Sequence, residues 1–227
     1  AGEYTQFYGG SKALATAAIA TLLGRVNEVY QRDVGAEFQL ASGNDNIIFT
    51  DPASDPFNND DTDVDVNGAV QANAQTLPLP STRLGPFDIG HVVNTGGGGL
   101  ANLGALCTAT RSQGMTGSAT PVGDAFFIDY VAHEIGHQFG ADHTFNGTTN
   151  SCGSGNREAT QAWEPGSGTS IMAYAGICGD ENIQPHSDPY FHSKSIEQMR
   201  AHMATVPACG TTLNLVNNAP QAAAGAS

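Results

Sequence analysis

The chain has 227 residues, 40% of them hydrophobic, and its 22 acidic and 8 basic residues give a formal charge of −14. That length allows one large domain or two small ones, and the lack of a linker-like interruption before residue 214 favours one. The acidic balance excludes phosphate backbones, and hence nucleic acid, as a natural partner, and no run approaches the ~18 consecutive apolar residues of a membrane span. No signal peptide is visible, so a secreted protein would be present here in processed or trimmed form.

Residues 1–9 are short and polar-aromatic, without a repeat. From Ser11 to Arg32, Leu14, Ala18, Leu22, Val26 and Val29 recur at three- and four-residue spacing, which predicts an amphipathic helix stopped near Gly35. Ala36–Leu40 and Asn46–Thr50 are expected to be strands joined by a hairpin-like Ser42-Gly43-Asn44-Asp45 connection. The acidic stretch that follows contains Asp63-x-Asp65-x-Asn67-Gly68, the opening of a calcium loop. Ala74 stands where an EF-hand places its bidentate glutamate, so the motif is incomplete. A solvated acidic loop over residues 58–68, with Asn67 or Asp65 capping a helix over 69–77, is favoured over a Ca2+ site.

Pro78 and Pro80 end that helix, and Phe87–Asn94 reads as a strand in which His91 is a core or sheet-face residue and no ligand. The tetraglycine Gly96–Gly99 leads into Leu100-Ala101-Asn102-Leu103. Its glycines permit close approach of an extended substrate to a sheet edge, and a plain mobile loop explains them equally well.

The most informative stretch is His133-Glu134-Ile135-Gly136-His137-Gln138-Phe139-Gly140-Ala141-Asp142-His143. On a helix over Asp124–Gly140, His133 and His137 lie one turn apart on one face, while Phe127, Val131, Ile135 and Phe139 form an apolar stripe on another. Gly140 can turn the chain back so that His143 reaches the same ion, and Glu134 stands beside the site as a candidate base. Three imidazoles and an open fourth position suit a catalytic rather than a structural zinc site.

Residues 144–169 read as a long Gly/Asn/Ser/Thr-rich loop, followed by Ser170-Ile171-Met172-Ala173-Tyr174 as a tight apolar turn. The last helix is expected from Ile196 to Thr205, with Ser195 and Gln198 as a capping box, and His186, His192 and His202 as surface or packing residues. Residues 214–227 have linker composition. The four cysteines, at 107, 152, 178 and 209, form no C-x-x-C pair, which argues against a thiolate zinc site. They permit two disulfides in any of three pairings, or four buried thiols.

Together, HEIGHQFGADH and the downstream SIMAY resemble a metzincin zinc endopeptidase. GLANLGALC and DPYFHSKSIEQMRAHMATVPAC extend the resemblance toward the reprolysin/adamalysin branch in a bacterial-type form, covering most of residues 87–210. The first 85 residues match in layout only. Asp142 precedes and Thr144 follows His143 where adamalysins place Asp after the third histidine, and Ser170 replaces the cysteine of their Met-turn. Tyr174, two residues after the methionine, is reminiscent of astacins and serralysins.

The resemblance implies an α/β (α+β), metzincin-like zincin fold. Its parts would be a twisted, mostly parallel sheet with an antiparallel edge strand, a long active-site helix and a small irregular C-terminal subdomain ending in a helix. It divides the chain into a catalytic domain over 1–213, with subdomains meeting near 143 and 144, and a tail or linker over 214–227. One catalytic Zn2+ would sit on His133, His137 and His143, with Glu134 as general base and Met172 as an apolar floor. Tyr174 would contact zinc or the transition state, with a packing tyrosine as the alternative. Extended substrate would lie along Gly99, Leu100 and Ala101, and the chain after Met172 would wall the pocket for the side chain following the cleaved bond. The implied disulfides are Cys107–Cys209 and Cys152–Cys178. The implied protein is a secreted, monomeric endopeptidase that acts on protein or peptide substrates through zinc-activated water, with further C-terminal domains in a precursor. The rivals are a non-catalytic zinc-binding or adhesion module on the same fold, and a domain whose histidines are merely packed.

Overall fold

The computed structural model describes residues 1–57, 72–73, 75–79, 82–153 and 155–213. The acidic stretch expected over 58–68 and the tail over 214–227 lie outside the described residues.

The polar-aromatic start forms a short helix α1 (Gly2–Phe7), which buries Tyr4 against Tyr8 and Phe126. Helix α2 (Lys12–Asp33) begins at Ser11, whose hydroxyl accepts a hydrogen bond from the Leu14 amide at 3.3 Å. Its buried face is Ala15, Leu22, Val26, Val29 and Tyr30. Leu14, expected on that face, is exposed, and Ala15 takes its place because the small residue lets the first turn lie close to the core.

Among the described residues the sheet has three strands, β1 (Val92–Asn94), β2 (Gly98–Ala101) and β3 (Gly114–Gly117), in the order β1-β3-β2. Val92 pairs with Met115 in parallel, and Gly99 pairs with Thr116 in antiparallel register, so β2 is an antiparallel edge. The tetraglycine therefore enters a strand and is not a plain loop. The hairpin expected at Ser42–Asp45 does not form: Asn44–Ile47 is a 3-10 turn, and the Ser42 carbonyl accepts from the Gly85 amide at 2.7 Å. This stretch thus pairs with a distant segment in place of its sequence neighbour. Residues 72, 73, 75 and 76 are helical, as expected there.

The central helix α3 comprises an α-helical turn (Asp124–Phe126), a π-helical stretch (Phe127–Ala132) and an α-helical segment (His133–Gln138). Arg25 of α2 clamps its start through two 2.9 Å bonds to Asp124, and the buried Tyr30 hydroxyl donates to the Ala132 carbonyl at 2.9 Å. Phe127, Val131, Ile135 and Phe139 are all buried in the main core with Val26, Val29 and Tyr30. Gln138 and His91 cross from helix to sheet: His91 Nδ1 donates to Gln138 Oε1, and Thr116 Oγ1 donates to His91 Nε2, both at 2.8 Å. His91 is a packing histidine, as expected.

After α3 the chain is mostly irregular, with one bridge between Phe145 and Glu164, until α4 (Ser193–Thr205). His192, not Ser195, caps α4, accepting from the Lys194 amide at 3.2 Å. Ser195 lies inside the helix and is fully buried, because the helix starts a turn earlier than its apolar spacing suggests. Gln198 turns outward from the expected box to clamp Asp142: its Oε1 accepts from the Asp142 amide at 3.1 Å and its Nε2 donates to Oδ2 at 2.8 Å. His202 packs beside Gly104 and Gly140, and His186 pairs with Asp129 at 3.0 Å. Disulfides join Cys107 to Cys209 and Cys152 to Cys178.

Candidate active site

The α-helical end of α3 supplies His133, Glu134 and His137. A Schellman-type turn then ends the helix: the Gly140 amide donates to the His137 carbonyl at 2.8 Å and the Ala141 amide to the Gly136 carbonyl at 2.9 Å. Gly140 has φ +95°, a left-handed conformation costly for residues with a Cβ. This reversal brings His143 back over the helix.

The three imidazoles converge. His143 Nε2 lies 3.1 Å from His137 Nε2 and 3.2 Å from His133 Nε2. Each ring donates its Nδ1–H to a backbone carbonyl: His133 to Ile171 at 2.7 Å, His137 to Ala141 at 2.7 Å and His143 to Asn156 at 2.6 Å. With Nδ1 so committed, a neutral ring presents Nε2 as a lone pair. Three lone pairs aimed at one point repel unless a cation sits among them. A tetrahedral ion with Zn–N bonds of ~2.0–2.1 Å holds its nitrogens about 3.3 Å apart, close to the spacing here, so the residues present fit one zinc ion. Burial, reinforced by the neighbouring rings, depresses the pKa of His133 well below its usual value, and burial takes His137 down to about 3. Burial also lowers that of His143. All three are neutral near pH 7, as metal ligation requires.

Glu134 is only 8% exposed, and burial pushes its pKa up to about 8. Strand β2 passes directly over it: a Cβ on Gly99 would lie 2.3 Å from Glu134 Oε1. Met172 is fully buried beneath the helix, where a Cβ on Gly136 would come within 2.4 Å of its sulfur. Tyr174 packs against His143 (ring centroids 4.6 Å apart) and His133 (5.6 Å) and stacks on Phe145. Burial, followed by the charge of Glu134, raises its phenol pKa. The structure thus brings His133, Glu134, His137, His143, Met172, Tyr174 and Gly99 together. Leu100 and Ala101 continue along the same edge strand.

Several residues at the site carry no signal in the sequence. The carbonyls of Ile171, Ala141 and Asn156 orient the rings, and any residue type could supply them. Glu164, in the loop after His143, has a buried carboxylate that accepts from the hydroxyls of Thr144 and Ser170 (2.5 Å each) and Thr169 (3.4 Å) and from the amides of Thr169 (2.9 Å) and Ser170 (3.0 Å). Burial pushes its pKa up, and these donors outweigh that effect to hold it below the usual carboxylate range. In the sequence it is one of two acids in that loop, the other being Glu158, and nothing in residue type or spacing separates the two.

Comparison with known proteins agrees with this geometry. The profile of the family described as "Metallo-peptidase family M12B Reprolysin-like" matches residues 1–201. A search of curated proteins finds no match. The matched span contains the whole histidine cluster, Glu134, the Met172 turn and most of α4, and the chain therefore belongs to the reprolysin-like metallopeptidases.

Proposed function

We propose that the protein is a secreted zinc-dependent endopeptidase that hydrolyses internal peptide bonds of protein substrates. The observation that carries this reading is the triangle of Nε2 lone pairs beside the buried Glu134 carboxylate. His133, His137 and His143 would hold one zinc ion. Zinc supplies Lewis acidity: it polarises a carbonyl and makes water acidic enough to ionise near neutral pH.

Glu134 accepts the proton of the attacking water and delivers it to the leaving amine. Burial raises its proton affinity in the metal-free chain, and a zinc ion on the three imidazoles would favour the ionised carboxylate that a base requires. Met172 forms the floor that keeps the helix and the three rings in place. Tyr174 would donate a hydrogen bond to the oxyanion or contact the metal, a role supported by its packing against His143 and Phe145. Gly99, Leu100 and Ala101 belong to an edge strand, and an extended substrate pairing with it would pass close to Glu134. Residues 1–213 form the catalytic domain in this reading. The two disulfides support an extracellular setting, and no helix among the described residues is long and apolar enough to cross a membrane.

The test is Glu134→Ala, assayed on a peptide library with zinc content measured in parallel. Loss of the base is expected to slow cleavage by about 10²–10⁴-fold with zinc retained. Cleavage at the parental rate would show the mechanism to be wrong, and a zinc-loaded parent that cleaves nothing would leave the scaffold alternative.

A further inference from the structure

We infer that Glu164 is the positioning residue of this site: its carboxylate fastens the segment carrying His143 to the turn carrying Met172, and thereby sets the metal-binding geometry. The inference rests on the metal-site reading above.

The connections run in both directions from one buried side chain. Toward the third histidine, Oε2 accepts from the hydroxyl of Thr144, the residue after His143, and the Glu164 amide donates to the Thr144 carbonyl at 2.8 Å. The Asn146 amide donates to the Glu164 carbonyl at 2.8 Å, so the backbones of the two segments are paired around the side chain. Toward the methionine turn, the same Oε2 accepts from the Ser170 hydroxyl, and Oε1 accepts from the amides of Thr169 and Ser170. Ser170 precedes Ile171, whose carbonyl orients His133. The Thr144 amide closes the loop by donating to the Met172 carbonyl at 3.1 Å. Glu164 is thus one residue removed from two groups that decide where lone pairs point: the backbone of His143 and the carbonyl that fixes the ring of His133.

A buried carboxylate is costly unless its lone pairs are used, and here both oxygens are fully engaged. That engagement leaves Glu164 no free oxygen to ligate a metal or accept a proton from substrate. Its partners are three hydroxyls, of Thr144, Ser170 and Thr169, and two amides, not a cation, so its contribution is the fixed distance between two loops. Neither loop has regular secondary structure to hold that distance.

The experiment uses the full chain with Glu164→Ala. Zinc affinity is measured by competition with a chromophoric chelator, the d–d absorption of the cobalt(II)-substituted protein is recorded, and metal-free unfolding is followed separately. Loss of an outer-shell brace is expected to weaken zinc binding about 10–100-fold and to change the cobalt band shape. A purely structural role would lower metal-free stability alone, and parental zinc affinity with a parental cobalt spectrum would overturn the inference. Should this variant not fold, Glu164→Gln carries the same test. Its amide nitrogen replaces the oxygen shared by Thr144 and Ser170, so weakened zinc binding and an altered cobalt band are expected, and parental values overturn it. A parent that binds no zinc would remove the metal-site reading and this inference together, whereas parental behaviour in the variants removes only the inference.

Discussion

Gly99→Ala tests whether the edge strand places the base. A Cβ at this position would lie 2.6 Å from both Cγ and Cδ of Glu134 and 2.3 Å from Oε1. Carbon atoms in contact sit ~3.5 Å apart or more, so the glutamate side chain must retreat by about 1 Å. A misplacement of that size in a reacting group can cost about 10²-fold in rate, equivalent to about 2.7 kcal/mol of transition-state stabilisation. Stability should respond differently. Alanine is preferred over glycine in a strand by roughly 0.5–1 kcal/mol, which offsets part of the crowding at the end of a flexible side chain. The expected result is a kcat/KM about 100-fold below the parent, with zinc content retained and an unfolding midpoint within a few degrees. A cycle with Glu134→Ala isolates the cause: once the carboxylate is gone, Gly99→Ala should cost almost nothing further. A folded, zinc-loaded Gly99→Ala protein with parental kcat/KM would refute the placement of Glu134 by β2, and so would full additivity in the cycle.

Gly136→Ala should destabilise the protein although alanine is the better helix former by ~1 kcal/mol, because the new methyl meets the Met172 sulfur at 2.4 Å in a fully buried contact. Overpacking of ~1–3 kcal/mol outweighs that gain, and thermal unfolding should fall by a few degrees; an unchanged or raised midpoint would contradict the packing. His91, whose pKa burial lowers to about 4, makes stability fall with acid. Its folded pKa lies below its unfolded value of 6.5, so its contribution is complete above pH 6.5 and is lost as pH drops toward 4. The loss amounts to about 3 kcal/mol at most. In urea titrations the stability difference between parent and His91→Asn, constant above that window because the lost packing and hydrogen bonds do not titrate, should change only within it. Removing the Cys107–Cys209 bridge, with a sequence separation of 102, should cost roughly 4–5 kcal/mol by chain entropy. That is about 1 kcal/mol more than removing Cys152–Cys178, with a separation of 26, and the reverse order in denaturant titrations would show that unfolded-chain entropy does not dominate.

What could be read from the sequence was what local geometry dictates. The period of α2 follows from its apolar spacing, and the Phe127, Val131, Ile135, Phe139 stripe from the helical repeat. The convergence of His133, His137 and His143 follows from one helical turn plus a glycine that can adopt φ +95°. These features depend on neighbours a few residues away, so residue type and spacing suffice to specify them. The disulfide pairing followed only from family resemblance, since four cysteines allow three pairings.

The tertiary structure decided everything that depends on a distant partner. Ser42–Asp45 carries hairpin chemistry, yet it bonds to Gly85 and no hairpin forms. Ser195 and Gln198 have capping-box spacing, yet burial claims the serine and Asp142 claims the glutamine. The carbonyls that aim the three imidazoles leave no mark in the amino-acid code, because every residue has one. Glu164 looks like a surface acid in a polar loop until the fold closes over it and supplies five donors. The sequence by itself determined which side chains could hold a metal. The tertiary structure decided how they are aimed and braced, because backbone acceptors and non-local hydrogen bonds exist only once separate segments have been brought together.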